Sequence, residues 1–398
     1  MRTLLLGVAA LALSGVAAAA EDSSHTMDIY GFVMLDNGYE VNQNDPDWFD
    51  VVRPTKLPSF ANEFGTDGKW FASVRQSRFG VKTSTPTRLG DLTTQFEFEL
   101  FGVGPDAGQT TIRLRHAYGE LGQFGAGQTW SPFMDIDVFP NTIEYWGPSG
   151  MVFFRNVQLR WMPIKGDYNR LTFALERPGA SVDEGEYADR IELESVAPRF
   201  PYPDLSGEFR FGNEDWGYLE LAGIVRYIEW KDQLPDQFDL SGDEVGWGVN
   251  LSSNLKLGNS TLRLQVVYGE GIENYMNDAP ADIGIRNNFR DPRRPILGEA
   301  LPVLGGVAFI DINWNDSMSS SIGYSMVDID NSDGQSANAF NHGDYAIANI
   351  LFTPVRNFLF GPELQYARRK NFRDGFTADD VRLQVSFKYS FSKTIGGR

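Results

Sequence analysis

The sequence predicts an all-β protein, a transmembrane antiparallel β-barrel of about sixteen strands with an inward-folded third loop, and three observations carry that prediction. Met1 to Ala20 has a basic residue at Arg2, an apolar stretch from Leu4 and an Ala18-Ala19-Ala20 exit, so it reads as a secretory leader cut between Ala20 and Glu21. Beyond it, no apolar run approaches the roughly 20 residues of a transmembrane helix, and mean hydropathy is −0.30. The closing stretch alternates strictly: Val381, Leu383, Val385, Phe387, Tyr389 and Phe391 are apolar, and Arg382, Gln384, Ser386, Lys388 and Ser390 are polar. That period of two suits a strand with lipid on one face and a wet lumen on the other. Residues 1–20 are therefore set aside as the leader, and 21–398 form one barrel domain.

Alternating segments follow in order at 27–39, 70–83, 92–101, 110–121, 124–130, 152–161, 169–177, 205–212, 218–230, 244–257, 260–269, 303–314, 319–327, 345–353, 358–367 and 380–391. Short connections carry turn chemistry, as in Pro86 to Gly90, Gly166-Asp167, Gly258-Asn259 and Asn315-Asp316. Long ones fall at 40–69, 102–109, 131–151, 178–204, 231–243, 270–302, 328–344 and 368–379. An even strand count, with short turns on one side and long loops on the other, is the outer-membrane barrel pattern.

Parity assigns faces. An Arg or Lys aimed at the bilayer midplane costs about 2–4 kcal/mol, so charges within strands are expected to point inward. Arg78 and Lys82 oppose Phe79 and Val81, and Glu97 and Glu99 oppose Phe96 and Phe98. Arg113 and Arg115 oppose Ile112 and Leu114, Arg160 opposes Leu159 and Trp161, Arg170 opposes Leu171, and Arg263 opposes Leu262 and Leu264. His116 and Tyr118 take outward parity. Arg75 has the wrong parity for the face of Arg78, so a bulge or a subunit contact is expected beside it. A basic ladder facing Glu97 and Glu99 sets a transverse field, or the two signs neutralise one another in pairs. Lys388, on the polar face of the closing strand, is expected to add modestly to an anion path.

The third long connection, Ser131 to Gly150, is too apolar for a solvated tip. In a wide barrel such a loop folds inward and narrows the lumen, and Asp135, Asp137 and Glu144 would then oppose the arginines across a constriction.

Composition excludes several classes of function. With no Cys, 3 His, and 35 basic against 53 acidic residues, the formal charge is −18, and losing Arg2 with the leader makes it −19. Thiol chemistry is impossible, and a nucleic-acid partner is disfavoured by the negative field. A barrel hydrolase needs His, Ser and Asp grouped at one face; only His342 beside Asp344 resembles half of such a set. Gly65 to Lys69 lacks the P-loop spacing, and Asp328 to Gly334 lacks the distal Glu of a calcium loop. No cofactor is expected. Arg286, Arg290, Arg293 and Arg294 cluster in the connection 270–302, where they attract anions, touch lipopolysaccharide or pair with acidic loops.

Several motifs resemble those of the DcaP-like porins: Arg75-Gln76-Ser77-Arg78-Phe79-Gly80, Ile112-Arg113-Leu114-Arg115-His116-Ala117-Tyr118 and Gly127-Gln128-Thr129-Trp130-Ser131-Pro132-Phe133. Arg155 with Gln158-Leu159-Arg160, Phe173 to Pro178 and the closing Phe387 to Phe391 extend the likeness over most of the mature chain. The resemblance implies a homotrimer in the outer membrane of a Gram-negative bacterium that admits small anionic solutes, dicarboxylates and aromatic acids among them. It places that preference on Arg75, Arg78, Arg113, Arg115, Arg155 and Arg160. It also implies partners in the bilayer with its lipopolysaccharide, and an assembly machinery that reads Phe391. The chain departs from some members in having no heptad segment before the first strand, and in running seven residues past Phe391 as a small plug or loose tail. A rival from another class is a closed structural or adhesive barrel.

Overall fold

The computed structural model describes residues 25–396 and consists of one closed antiparallel barrel. Its sixteen strands are β1 Thr26–Glu40, β2 Lys69–Ser73 continued by Arg78–Thr85, β3 Leu92–Phe101, β4 Thr110–Leu121, β5 Phe124–Trp130, β6 Arg155–Ile164, β7 Arg170–Glu176 and β8 Asp204–Asn213. They continue with β9 Gly217–Asp232, β10 Gly242–Leu257, β11 Ser260–Glu270, β12 Pro302–Asn315, β13 Met318–Ile329, β14 Phe340–Asn349 continued by Leu351–Val355, β15 Phe358–Asn371 and β16 Thr377–Gly396. Each strand pairs with its sequence neighbours, and β16 closes on β1 with Gly31 opposite Phe391 and Tyr39 opposite Leu383. Closure leaves no open edge, which is what strands need in lipid. The leader and its cut between Ala20 and Glu21 lie outside the described residues.

Outward positions are apolar and exposed, as with Phe96, Ile112, Leu159, Leu221 and Val249. Inward polar residues are buried and bonded to one another: Gln384 and Ser386 both donate to Asp36, at 3.2 and 2.6 Å. Around the short-turn end, outward rings form a girdle, with Phe358 and Tyr389 centroids 4.9 Å apart and Phe352 and Phe360 5.3 Å apart. Aromatics at this level suit the membrane interface. Leu221→Arg places a charge on the lipid face of β9 and is expected to lower stability by about 2–4 kcal/mol, measured by unfolding from lipid vesicles.

Four expectations are corrected. Strand two breaks at Val74 to Ser77, where the chain turns inward and buries Arg75, and this break accounts for that residue's parity. In β4, the register against β3 shifts between Glu97 and Phe98, so Arg115 is an extra residue, and the parity after it reverses. His116 is consequently buried and bonded to Thr129 at 2.9 Å rather than facing outward. Tyr118 follows it inward, over the flat backbone of Gly125, where a Cβ would lie 1.7 Å from its hydroxyl. Finally, Ser392 to Gly396, the described residues after Phe391, are neither plug nor loose tail: they prolong β16 and pair with Thr26 to Tyr30.

The long connections hold more structure than their sequence suggested. Val182–Asp183, Ile283–Asn287 and Ile296–Ala300 make a small separate sheet, and Val196–Arg199 adds to the upper end of β9. The third connection packs Phe133, Val138, Met151 and Val152, all fully buried, into a core with Ile272, Tyr275, Leu301 and Val327. Apolar mass from two loops thus fills one side of the lumen and leaves the other side open beside β2 to β4.

Candidate functional site

On that open side, β2, β3 and β4 bring five charged side chains of their inward faces into contact. Register sets Arg78 opposite Glu99, and Glu99 opposite Arg113. The extra residue in β4 then lets Arg115 project alongside Arg113. Its Nε lies 2.6 Å from Glu97 Oε1, and its Nη1 lies 2.7 Å from Glu99 Oε2. Arg78 reaches Glu99 at 3.3 Å and Glu97 at 3.7 Å, and Arg113 reaches Glu99 at 3.6 Å. The carbonyls freed by the bulge are capped from β5 by Gln128, which donates to Leu114 and Arg115, each at 3.3 Å. Three guanidinium groups share two buried carboxylates, so pairing is only partial and donors are left over.

Arg78, Arg113 and Arg115 line a cavity of about 560 Å³ together with Lys388 and Arg53. Its other wall is aromatic, from Phe139, Tyr145, Trp146, Phe153 and Phe154 of the third connection and its end. Lys388 lies over the Phe32 ring at 4.2 Å. Arg53, from the first connection, sits 4.2 Å from the Trp48 ring and 4.1 Å from the Trp146 ring, and pairs with Asp278 at 2.8 Å. It ties the first, third and sixth long connections together at the cavity.

Of the third connection's carboxylates, Asp135 and Asp137 do not oppose these arginines, while Glu144 lines the same cavity. Asp135 is fully buried against the far wall: Arg210 of β8 binds it at 2.7 Å, and Tyr218 and Ser252 donate to it at 2.8 and 2.6 Å. Asp137 joins the same guanidinium at 2.7 Å. Glu144 folds back on its own loop, accepting from the backbone of Val52, Trp146 and Gly147 at 3.1, 2.9 and 2.6 Å and from Tyr345 at 2.9 Å. Gly147 permits this with φ +90°, in a place where a Cβ would meet the Phe139 ring at 2.3 Å. A short apolar loop needs polar anchors wherever its backbone is buried, and these three acidic residues supply or receive them.

Burial pushes Glu144 up to about 7. The unfolded chain releases that proton near the ordinary 4.5, so the folded state binds the extra proton between these values. Stability is expected to fall as pH rises from about 4.5 to about 7, and Glu144→Gln flattens that part of the profile. Denaturation midpoints of the two proteins across that range check it.

The remaining expected residues lie elsewhere. Arg75 is buried against Asp50 at 2.6 Å, and its guanidinium lies 3.9 Å from the Phe101 ring, so it braces the wall and is absent from the cavity lining. Arg155 stands behind the lining, 4.6 Å from the Trp130 ring, with its Nη1 buried and unpartnered. Arg160 bonds to Gln158 at 2.8 Å and to the Trp130 carbonyl. Arg170 lies 3.8 Å from Glu208, and Lys82 is exposed over the Tyr30 ring at 5.4 Å. Sequence reasoning passed over Arg53 and Arg210. For Arg53 the available signal was a cation between Trp48 and Lys56 in an otherwise apolar loop stretch; for Arg210 it was inward parity between Phe209 and Phe211.

The family model of the DcaP outer membrane protein matches residues 17–391. The chain belongs to the DcaP outer membrane protein family. Among solved structures, the outer membrane channel DcaP of Acinetobacter baumannii is 22% identical, with 94% of this chain and 100% of that chain covered and a TM-score of 0.76. The anion-selective porin from Comamonas acidovorans is 10% identical over 92% of this chain and 100% of that one, with a TM-score of 0.58. The trimer form of OmpT from Vibrio cholerae is 11% identical over 92% and 100%, with a TM-score of 0.54. No curated protein is significantly similar to the chain. Membership in the DcaP outer membrane protein family, with the porin fold, places the chain in the outer membrane of a Gram-negative bacterium and points to a channel.

Elsewhere, His342 bridges Asp328 at 3.3 Å and Asp344 at 3.1 Å, and Arg368 meets the same Asp344 at 2.7 Å, all on the outer face near the long-loop end. Asp333 of the acidic loop accepts from the Asn287 backbone at 2.7 Å. Each of these groups is engaged in tying loops or strands together.

Proposed function

We propose that this DcaP-family channel is a passive diffusion porin that prefers small organic anions, dicarboxylates and aromatic acids among them, and that it works as a homotrimer after its leader is cut behind Ala20. The observation that carries the preference is a cavity with a cationic wall facing an aromatic one. Five cations line it: Arg53, Arg78, Arg113, Arg115 and Lys388. Their carboxylate partners are three, Glu97, Glu99 and Asp278, which leaves two positive charges in excess. The two other carboxyl groups of the lining, Glu144 and Glu273, are pushed up by burial, Glu273 well above the ordinary carboxylate range. The overall charge of −18 sits largely on distant loops, and salt screens such charges within about 8 Å.

A flat acid meets both walls, its carboxylate on a guanidinium fork and its ring against Phe139, Phe153 or Phe154. Phe391, outward at the lower girdle, is proposed as the residue read during assembly, and the outer-face charges near His342 as contacts for lipopolysaccharide. Single-channel recording tests the solute preference: an aromatic dicarboxylate is expected to interrupt the current in a concentration-dependent way, while a neutral sugar of similar size does not. Equal effects of the two overturn the reading, and a barrel that admits neither in liposome swelling makes it a closed structural one.

A further inference from the structure

The external mouth contains a second concavity that shares no lining residue with the constriction. It is an apolar slot of about 170 Å³ between the inward face of upper β9, at Ile228 and Trp230, and the small loop sheet, at Ile283, Ile285 and Ile296. Phe200 and Leu240 complete its walls. The Trp230 ring is fixed by donating to the Leu240 carbonyl at 2.8 Å, and it lies against the bare backbone of Gly298, where a Cβ would come within 2.4 Å of the ring. An apolar protein cavity of about 150 Å³ takes up benzene, so the slot has room for one six-membered ring.

Trp230, Leu240, Ile296 and Leu297 also bound an adjoining polar annex of about 280 Å³. Arg286, Arg294, Asp243 and Glu244 line it. Arg286 is drawn to Glu299 at 3.7 Å. Arg294 donates to the Ser241 carbonyl at 2.8 Å, but its Nε is buried without an acceptor, and among the described residues no carboxylate lies within ion-pairing distance of it. Buried donors are nearly always satisfied. This one stands at the polar end of a ring-sized apolar slot.

We propose that slot and annex form a second solute site in the external mouth, which takes an aromatic monocarboxylate with its ring against Trp230 and its carboxylate on Arg294. The site stands apart from the constriction and does not depend on the anion preference assigned there. It would concentrate aromatic acids at the mouth ahead of passage.

Binding to the full-length protein in detergent, followed by fluorine NMR, tests this with three probes: 4-fluorobenzoate, fluorobenzene and fluoroacetate. In an Arg113→Ala background, which weakens the constriction, 4-fluorobenzoate is expected to bind at least tenfold more tightly than either the ring or the acid alone. Leu240→Trp fills the slot and Arg294→Gln removes the charge; each is expected to weaken 4-fluorobenzoate at least tenfold. Unchanged single-channel conductance in both variants shows that the barrel has folded. If 4-fluorobenzoate binds both variants as it binds the parent, or if fluoroacetate binds as well as 4-fluorobenzoate, the site is overturned. Loss of all binding with Arg113→Ala alone, while Arg294→Gln has no effect, overturns it as well and leaves the constriction reading intact.

Discussion

Arg113→Ala is expected to move the reversal potential of the channel in a KCl gradient toward cation selectivity, and Arg115→Ala to do so while also endangering the fold. The two arginines differ in what they hold. Arg113 keeps about a quarter of its side chain accessible and touches Glu99 only at 3.6 Å, so it acts mainly as a free positive charge at the cavity. A unit charge a few ångströms from a passing ion, at an effective dielectric near 20, is worth a few kcal/mol before salt is counted. The expected change in the anion-to-cation permeability ratio is on the order of tenfold at low salt. It shrinks toward 1 M KCl, where the Debye length is about 3 Å.

Arg115 is nearly buried and is the principal partner of both Glu97 and Glu99. Removing it leaves two buried carboxylates with only the longer ion pairs to Arg78 and Arg113, beside hydrogen bonds from Tyr30 and Tyr145, a loss of about 3–5 kcal/mol. In Arg115→Ala/Glu97→Gln, where a charge is removed with its partner, much of that stability is expected to return together with most of the selectivity, because the cavity keeps its excess of two positive charges. Clear cation selectivity in the parent, unmoved by Arg113→Ala, would sink the role given to the ladder. Measured at two salt concentrations, the single variant also separates a local field from a change of pore shape, because only the field is screened.

Much of this was legible in the chain because a barrel wall obeys a single rule. Period-two alternation, turn residues and long connections gave the strand count, the closure and the inward facing of Arg78, Arg113 and Arg115 from the cost of a charge in lipid alone. The rule failed where the backbone departs from regular pairing. One extra residue at Arg115 reverses parity, so His116 and Tyr118 were assigned outward, and four residues of irregular chain at Val74 to Ser77 hide Arg75 in the wall. Alternation cannot register a bulge, because the pattern on either side of it still alternates.

Asp135 and Asp137 lie away from their expected place for a different reason. Folding of the connection 131–151 into the lumen follows from its apolar composition, but the wall it leans on is a matter of packing between distant elements. Asp135 finds Arg210 across 75 residues of sequence. No local signal distinguishes that partner from Arg113.

That same contact gives the second large expected effect. Arg210 is almost fully buried, and it holds Asp135 at 2.7 Å, Asp137 at 2.7 Å and Glu220 at 2.6 Å, with the Tyr218 ring 3.8 Å from its guanidinium. Arg210→Met keeps the volume and the ring contact while stranding Asp135 and Glu220 without a cation. The expected cost is about 3–5 kcal/mol in unfolding stability. It falls on the loop first, because the strands on either side keep their ladders and Asp135 is the loop's charged anchor on this wall.

Single-channel conductance is therefore expected to rise and become noisier, and sugars excluded by the parent should enter in liposome swelling. Phe133, Val138 and Met151 oppose that release through the apolar core they share with Ile272 and Val327. Arg210→Met/Asp135→Asn/Glu220→Gln separates the two contributions, since it relieves both stranded charges but leaves the anchor broken. Recovered stability with persistently raised conductance locates the hold on the loop in the ion pair. Recovery of both locates it in the apolar packing, with the charge merely tolerated there.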